Sequence, residues 1–381
     1  MCLVVLAAAC SNAAVDRGRT IRVPRDASTV RAAIRLAHPG DLILLGRGTY
    51  RGLVTVPEGL DDITIRGVDR NAVVFDGQDA RPFAILVRAD RVALENFTAH
   101  NYTANAVEWE GIDGFRGRFL TVWNVGAYGI YAVGSRDGRL DHDLVSGAAN
   151  SGFYIGECDP CRTILTHLTA TRSGIGYSGT NATGVTVRDS LWDRNGTGIL
   201  PNSYNEERHA PQSRSVFAGN VVKGSGTVPV PASDPLGGFN GLGIGIAGGQ
   251  RDRVIGNVIV GSARYGIALF PTLQRGGGTW APGGNVVRGN RVRASGIADL
   301  AISTGSGGGN CFERNRFRSS LPRGIEHTLA CGEAGRSSGD DSVASELAVP
   351  APVAYARSGP HPSYREMIPP GPQPTMPTPG P

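Results

Sequence analysis

Gly129-Ile130-Tyr131, Gly152-Phe153-Tyr154, Gly174-Ile175-Gly176 and Gly198-Ile199-Leu200 return a small residue and an apolar one every 22 to 24 residues. Ala106-Val107 precedes them, and Gly243-Ile244 and Gly266-Ile267 continue the series after one longer gap. A fixed period of this length marks a stacked repeat, and it decides the architecture before any local reading does. A second series runs in step with the first. It reads Leu94-Glu95-Asn96, Asp141-His142-Asp143, Leu165-Thr166-His167 and Val187-Arg188-Asp189, then Ala218-Gly219-Asn220, Ile255-Gly256-Asn257, Arg288-Gly289-Asn290 and Glu313-Arg314-Asn315. Each rung therefore carries at least two short β-strands rich in Val, Ile and Leu, bounded by Gly, Asn, Asp and Ser turns. No helical pattern separates them, which excludes βαβ units. The expected fold is all-β: a parallel β-helix of roughly ten rungs, each covering the apolar interior of the next. Asn, Asp or His at one turn is expected to form a side-chain ladder through Asn96, Asp143, His167, Asp189, Asn220, Asn257, Asn290 and Asn315.

An amphipathic helix precedes the rungs. Thr20 to Val23 reads as a strand, and residues 28–37 put Val30, Ile34 and Ala37 on one helical face with Ser28 as N-cap. Pro39-Gly40-Asp41 ends it, and the strand Leu42 to Leu45 and the turn Gly46 to Tyr50 follow. A solenoid needs such a cap over its end rung. This helix, Pro39-Gly40-Asp41 with its apolar strand, Gly48-Thr49-Tyr50, Ile63 to Gly67 and Val73 to Gly77 resemble the opening of the pectin-lyase-like right-handed β-helix superfamily. The resemblance covers roughly residues 20 to 332 and implies a right-handed solenoid. It is specific for fold and unspecific for activity.

Three segments are expected: an export or lipoprotein signal remnant over 1–19, the β-helix over 20–332, and a Pro/Gly/Ser-rich disordered tail over 333–381. Leu3 to Ser11 resembles the end of a bacterial lipoprotein signal, with Cys10 as the residue that would be lipidated; any membrane association is expected only through that anchor. It is too short to span a bilayer and lacks a positive n-region. Cys158 with Cys161 and Cys311 with Cys331 read as disulfides, as befits an exported chain. The net charge of +5 points to an acidic partner, but it is diffuse, and no basic stripe with interleaved aromatics suggests nucleic acid. A monomer is expected.

The search for chemistry becomes geometric. If Val107, Ile130, Phe153, Ile175, Ile199, Ile244 and Ile267 point inward, then Glu108, Tyr131, Tyr154, Gly176, Leu200, Gly245 and Ala268 point outward. Tyr131 and Tyr154 beside Glu108 and Glu110 form a sugar-stacking platform, with space left by the small residues of the middle rungs. Insertions supply walls: Pro201 to His209 with Asn202, Tyr204, Glu206, Glu207, Arg208 and His209; roughly Gly224 to Asn240; and Pro271 to Gly284 with Arg275 and Trp280. Asp141-His142-Asp143 reads as structural, since the ladder accounts for Asp143 and His167. The preferred reading is a surface-anchored protein that binds polysaccharide or another extended glycan without turning it over. A divergent polysaccharide lyase or uronan epimerase, with Tyr154, Tyr204 or His209 as acid or base and Arg208 on the substrate carboxylate, is the alternative. A structural or adhesive exported protein is the third. Glu206 with Glu207 or Glu157 could supply a hydrolytic pair only through loop folding. No metal or cofactor is predicted; calcium is left open but unsupported, because no acidic cluster marks a site for it. The superfamily's Asn-Thr-Asp and Gly-His-Gly hydrolase motifs are absent.

Overall fold

The computed structural model describes residues 18–231, 238–332, 339–347 and 368–377. Cys10 and the rest of the expected signal lie outside them. The chain passes in turn through three parallel sheets, of twelve, ten and eleven strands, taken here as the first, second and third. They form a right-handed all-β solenoid of about 13 turns. The count exceeds the expected ten because the opening rungs, with first-sheet strands Thr20–Val23, Leu42–Leu45 and Thr64–Gly67, lack the small–apolar motif. Most strands are only three to six residues long, which suffices because each inner rung pairs with two neighbours and buries one face. Leu94, Gly117, Leu140, Leu165, Val187, Phe217, Val254, Val287 and Phe312 form one inward column of the first sheet. Trp109, Phe153, Tyr177 and Trp192 fill the interior.

The capping helix spans Val30–Leu36 and buries Val30, Ala33 and Ile34. Thr29, not Ser28, caps it, its hydroxyl accepting the Ala32 N–H at 3.1 Å. Both disulfides, Cys158–Cys161 and Cys311–Cys331, are formed. Beyond residue 332 the described parts of the expected tail pack on the solenoid. Helix Asp341–Leu347 buries Val343 and Leu347. Residues 368–377 cross the opening rungs, where the Met376 N–H donates to Asn96 Oδ1 (2.8 Å), the Arg70 N–H to Thr375 Oγ1 (3.0 Å) and Asn71 Nδ2 to the Gln373 carbonyl (2.9 Å). Proline content prevents this segment from forming a core, but an extended strand of carbonyls can still dock on side-chain donors.

One corner fixes the solenoid's cross-section. After each first-sheet strand from Ala93–Glu95 onward, one residue takes a positive φ: Asn96 (61°), Phe119 (53°), His142 (60°), His167 (53°), Asp189 (51°), Gly219, Gly256, Gly289 and Arg314 (55°). That residue turns the chain outward, and the next one points in. The expected ladder therefore merges two columns. Asn96, His167 and Asp189 occupy the outward, left-handed position; Asp143, Asn220, Asn257, Asn290 and Asn315 occupy the inward one. The ladder is continuous from Asn220 on, while Asp143 stands apart from it beyond Leu168 and Ser190: the N–H groups of Asn220, Asn257 and Asn290 each donate to the next asparagine's Oδ1 at 2.9 Å, and Glu326 Oε1 accepts from the last, Asn315, at 2.7 Å. A second ladder at the other end of the same strands runs from Ser215 N–H to Asp252 Oδ1 and from Asp252 N–H to Asn285 Oδ1, both 2.8 Å, and on to Asn310.

Each column holds one carboxyl where an amide would fit. Asp143 Oδ1 accepts the Leu120 N–H at 2.8 Å, while the buried Oδ2 of both Asp143 and Asp252 has no partner. In the asparagine rungs the corresponding nitrogen donates to a carbonyl, as Asn220 Nδ2 does to Val187 at 2.9 Å. Burial raises both carboxyls to about 7, offset only in part by the N–H groups they accept from. The folded chain thus holds protons that the unfolded chain releases between about pH 4 and 7, so these groups make stability fall as pH rises through that window. Asp143→Asn and Asp252→Asn, which restore the amide, should each raise Tm by several degrees at pH 8 and leave it nearly unchanged at pH 4. Melting curves across that range measure the difference.

Candidate active site

The third sheet sets which side chains face out. Register runs Glu108, Tyr131, Tyr154, Ser178, Leu200, with Ala268 and Ala301 farther along. Ser178 takes the place expected for Gly176, because Phe153 pairs with Tyr177 and Ser151 with Ile175. The strand begins two residues earlier than its neighbours' motif suggests, so Tyr177 is the inward residue there. The space expected beside the small residues is also filled. Leu200, Phe239, Ala268, Phe270, Ala301, Val343 and Leu347 form one apolar cluster over the later rungs. The exposed cleft is left on the earlier rungs, around Glu108 and Tyr131.

Three tyrosines converge there. Tyr131 and Tyr154 stack with centroids 4.7 Å apart and planes 22° apart, and Tyr128 packs against both at 4.7 and 5.0 Å. Asn150 Nδ2 donates to the Tyr128 hydroxyl at 3.1 Å. Tyr131 is half-buried, but Tyr154 is only 3% exposed, so the open platform is Tyr131 with Tyr128 rather than the expected pair. Loop 203–209 covers Tyr154. Its Glu207 Oε2 accepts the Tyr154 hydroxyl at 3.2 Å. Asn181 pins the loop from beneath: Nδ2 donates to the Tyr204 carbonyl (2.7 Å) and the Glu207 carbonyl (2.9 Å), and Oδ1 accepts the Tyr204 N–H (3.0 Å). The hairpin Thr272–Leu273 with Thr279–Trp280 braces the same loop, since Trp280 Nε1 donates to Asn205 Oδ1 at 2.8 Å and Gln274 Oε1 accepts the Asn205 N–H at 2.8 Å.

Electrostatics single out two carboxyls. Glu108 is pushed up to about 7 by burial and by the neighbouring Glu110, against the hydrogen bond it accepts from Asn105 Nδ2 at 3.1 Å. Glu207 is pushed up to about 7 by burial, with Glu157 and Glu206 adding to it and the Tyr154 hydroxyl opposing. Both carboxyls act on Tyr131, whose phenol, buried and facing negative charge, stays protonated well above its ordinary range. Tyr154 behaves likewise. These phenols are therefore hydrogen-bond donors and not bases near neutrality.

The remaining expected site residues are placed differently from one another. Tyr204 is buried, its phenol pushed far up, and it serves the loop through its backbone. Asn202 is buried and donates to the Leu200 carbonyl (3.0 Å) and Ser178 Oγ (3.3 Å), which makes it framework. Arg208 pairs with Glu157 at 3.0 Å and reaches the acidic groove of Glu58, Asp61, Asp90 and Glu110. Arg88 holds Glu110 at 2.9 Å. Glu206, His209 and Arg275 are exposed on the loop surface. Asn105, Tyr128 and Asn181 were not foreseen. Asn181 takes a positive φ of 48°, a conformation asparagine tolerates. Removing it with Asn181→Ala should loosen residues 203–209. Limited proteolysis should then cut that loop several-fold faster than in the unaltered chain, with the solenoid intact by circular dichroism.

A family model described as a right-handed β-helix region matches residues 105–274. No curated protein matches the chain in sequence. Among solved structures, DFA-IIIase from Arthrobacter chlorophenolicus is similar over 80% of this chain and 98% of its own, with TM-score 0.53 and 14% identity. A rhamnogalacturonan lyase is similar over 76% and 86%, with TM-score 0.51 and 12% identity. The A-module of an Azotobacter vinelandii mannuronan C-5 epimerase is similar over 76% and 91%, with TM-score 0.50 and 13% identity. In fold, this chain is a right-handed parallel β-helix.

Proposed function

We propose that the third-sheet cleft binds an extended glycan and processes it by carboxyl acid–base chemistry, with Glu108 and Glu207 as the pair. The observation that carries the proposal is their arrangement: two half-buried carboxyls, both raised to about 7, act from separate elements on the half-buried ring of Tyr131. A sugar ring laid on Tyr131 would meet one carboxyl supplied by a rung and another supplied by the loop. Groups poised near neutrality can each give or take a proton at working pH, which is what glycosidic chemistry requires. In hydrolysis, the protonated partner passes its proton to the leaving glycosidic oxygen as the C–O bond breaks. The ionised partner takes a proton from the water that attacks the anomeric carbon. The rungs of Glu108 and Tyr154 are two steps apart, about 9.6 Å along the axis, with Tyr131 on the rung between them.

The preferred sequence reading, binding without turnover, is thereby extended to catalysis. The lyase and epimerase reading loses two of its three acid/base candidates, because Tyr154 and Tyr204 are buried neutral phenols, and it keeps only the exposed His209, with Arg208 paired to Glu157. The polar loop, the aromatic floor and the acidic groove suit a neutral or weakly charged glycan better than a polyanion, contrary to what the overall charge suggested. The two disulfides fit an exported chain, as oxidising compartments favour them.

Purified protein should release reducing ends from at least one polysaccharide in a panel of neutral and acidic glycans. Glu108→Gln and Glu207→Gln should each lower the rate by about 10²–10⁴-fold with substrate binding retained. Tyr131→Ala should instead weaken binding. Release of unsaturated uronates, or activity unchanged in both glutamine variants, contradicts the proposal. Binding without any product reduces the site to the recognition role that the sequence first suggested.

A further inference from the structure

A second cluster of chemically competent side chains stands at the corner between the first and second sheets, away from the third-sheet cleft. His142 and His167 occupy consecutive rungs at the left-handed corner position, and both turn Nδ1 toward one oxygen of Asp141. His142 Nδ1 lies 2.9 Å and His167 Nδ1 3.1 Å from Asp141 Oδ1. The three ligand atoms all fall within 4.8 Å of one another. Asp141 is buried, while the two imidazoles are half-exposed, so the group opens to solvent on one side.

The corner makes this geometry rigid. Phe119, on the preceding rung, stacks on His142 with centroids 4.8 Å apart and planes 3° apart, and His142 in turn faces His167 at 4.8 Å. Arg118 Nε approaches the other carboxylate oxygen, Oδ2, at 3.7 Å, leaving Oδ1 to the imidazoles. We propose that Asp141, His142 and His167 form a binding site for a divalent transition-metal cation of the zinc class, clamping two rungs from outside. Two imidazole nitrogens and one carboxylate oxygen suit zinc, nickel or copper and not calcium or magnesium. Bonds of about 2.0–2.1 Å around a tetrahedral zinc put neighbouring ligand atoms about 3.3 Å apart. The separations from Asp141 Oδ1 are already close to that, and water would complete the shell. The third-sheet carboxyls play no part in this site.

The test is calorimetric titration of the chelator-treated, full chain with zinc chloride near pH 7.5, followed by a melting curve. One equivalent should bind and raise Tm. His142→Ala and His167→Ala should each weaken binding beyond the ~10–100-fold expected for loss of a mere supporting partner. His327→Ala, an exposed histidine elsewhere, should leave it unchanged. Circular dichroism establishes that the variants fold, and His167→Gln repeats the test with a residue of similar bulk. No saturable binding at millimolar zinc, or binding that survives both alanine substitutions, overturns the proposal.

Discussion

The single left-handed residue that follows each first-sheet strand is the constraint on which the rest of this structure depends. From Ala93–Glu95 onward each first-sheet strand turns toward the second sheet through one residue at positive φ, and the chain supplies Asn, Asp, His or Gly there at most rungs. That residue sets the phase of everything after it. Its side chain points out, its successor points in, and the inward column becomes a ladder of amides that satisfies backbone N–H groups at an otherwise unpaired corner. Where an aspartate enters such a column, burial raises its carboxyl to about 7. Where histidines enter the outward column they stack.

Phase also governs the third sheet. Because rungs stay in register, Glu108, Tyr131 and Tyr154 fall in one row, and stacking at 4.7 Å follows from the rung spacing itself. The later part of the row is covered by Phe239, Phe270 and helix Asp341–Leu347, so the solenoid offers one open stretch and not a long groove. Loop 203–209 then adds Glu207 from outside the repeat. Asn181 ties that loop to the scaffold, which is how an insertion of irregular sequence comes to hold a carboxyl in a fixed place. The cleft thus combines a precise floor with a braced wall, the arrangement expected of a site that must position an extended substrate.

The repeat, the capping helix, both disulfides and the row of Glu108, Tyr131 and Tyr154 were legible in the sequence because each follows from spacing or from local pattern. The ladder was only half legible. Asn96, His167 and Asp189 differ from Asn220 or Asn257 by one position, and residue type does not separate an outward αL site from the inward site beside it, since Asn and Asp suit both. The Gly176 assignment failed for a related reason: the Ser151 and Ile175 strands start early, and a period read from small residues cannot see where pairing begins. Tertiary facts left no trace at all. Nothing in Phe239 or Val343 announces that they close the later rungs, and nothing in Ile368 to Met376 announces docking on Asn96 and Arg70.

The account of the cleft turns on two glutamates that share an environment unlike that of any surface carboxyl. The most direct measurement is carbon-13 NMR of the glutamate side-chain carboxyls, titrated from pH 4 to 9 in the intact chain. Two resonances titrating near 7, one absent from Glu108→Gln and the other from Glu207→Gln, are what the structure predicts. If every glutamate instead titrates near its ordinary value of about 4.3, the cleft holds two ionised carboxylates at neutral pH and no proton donor among them, and the acid–base reading fails.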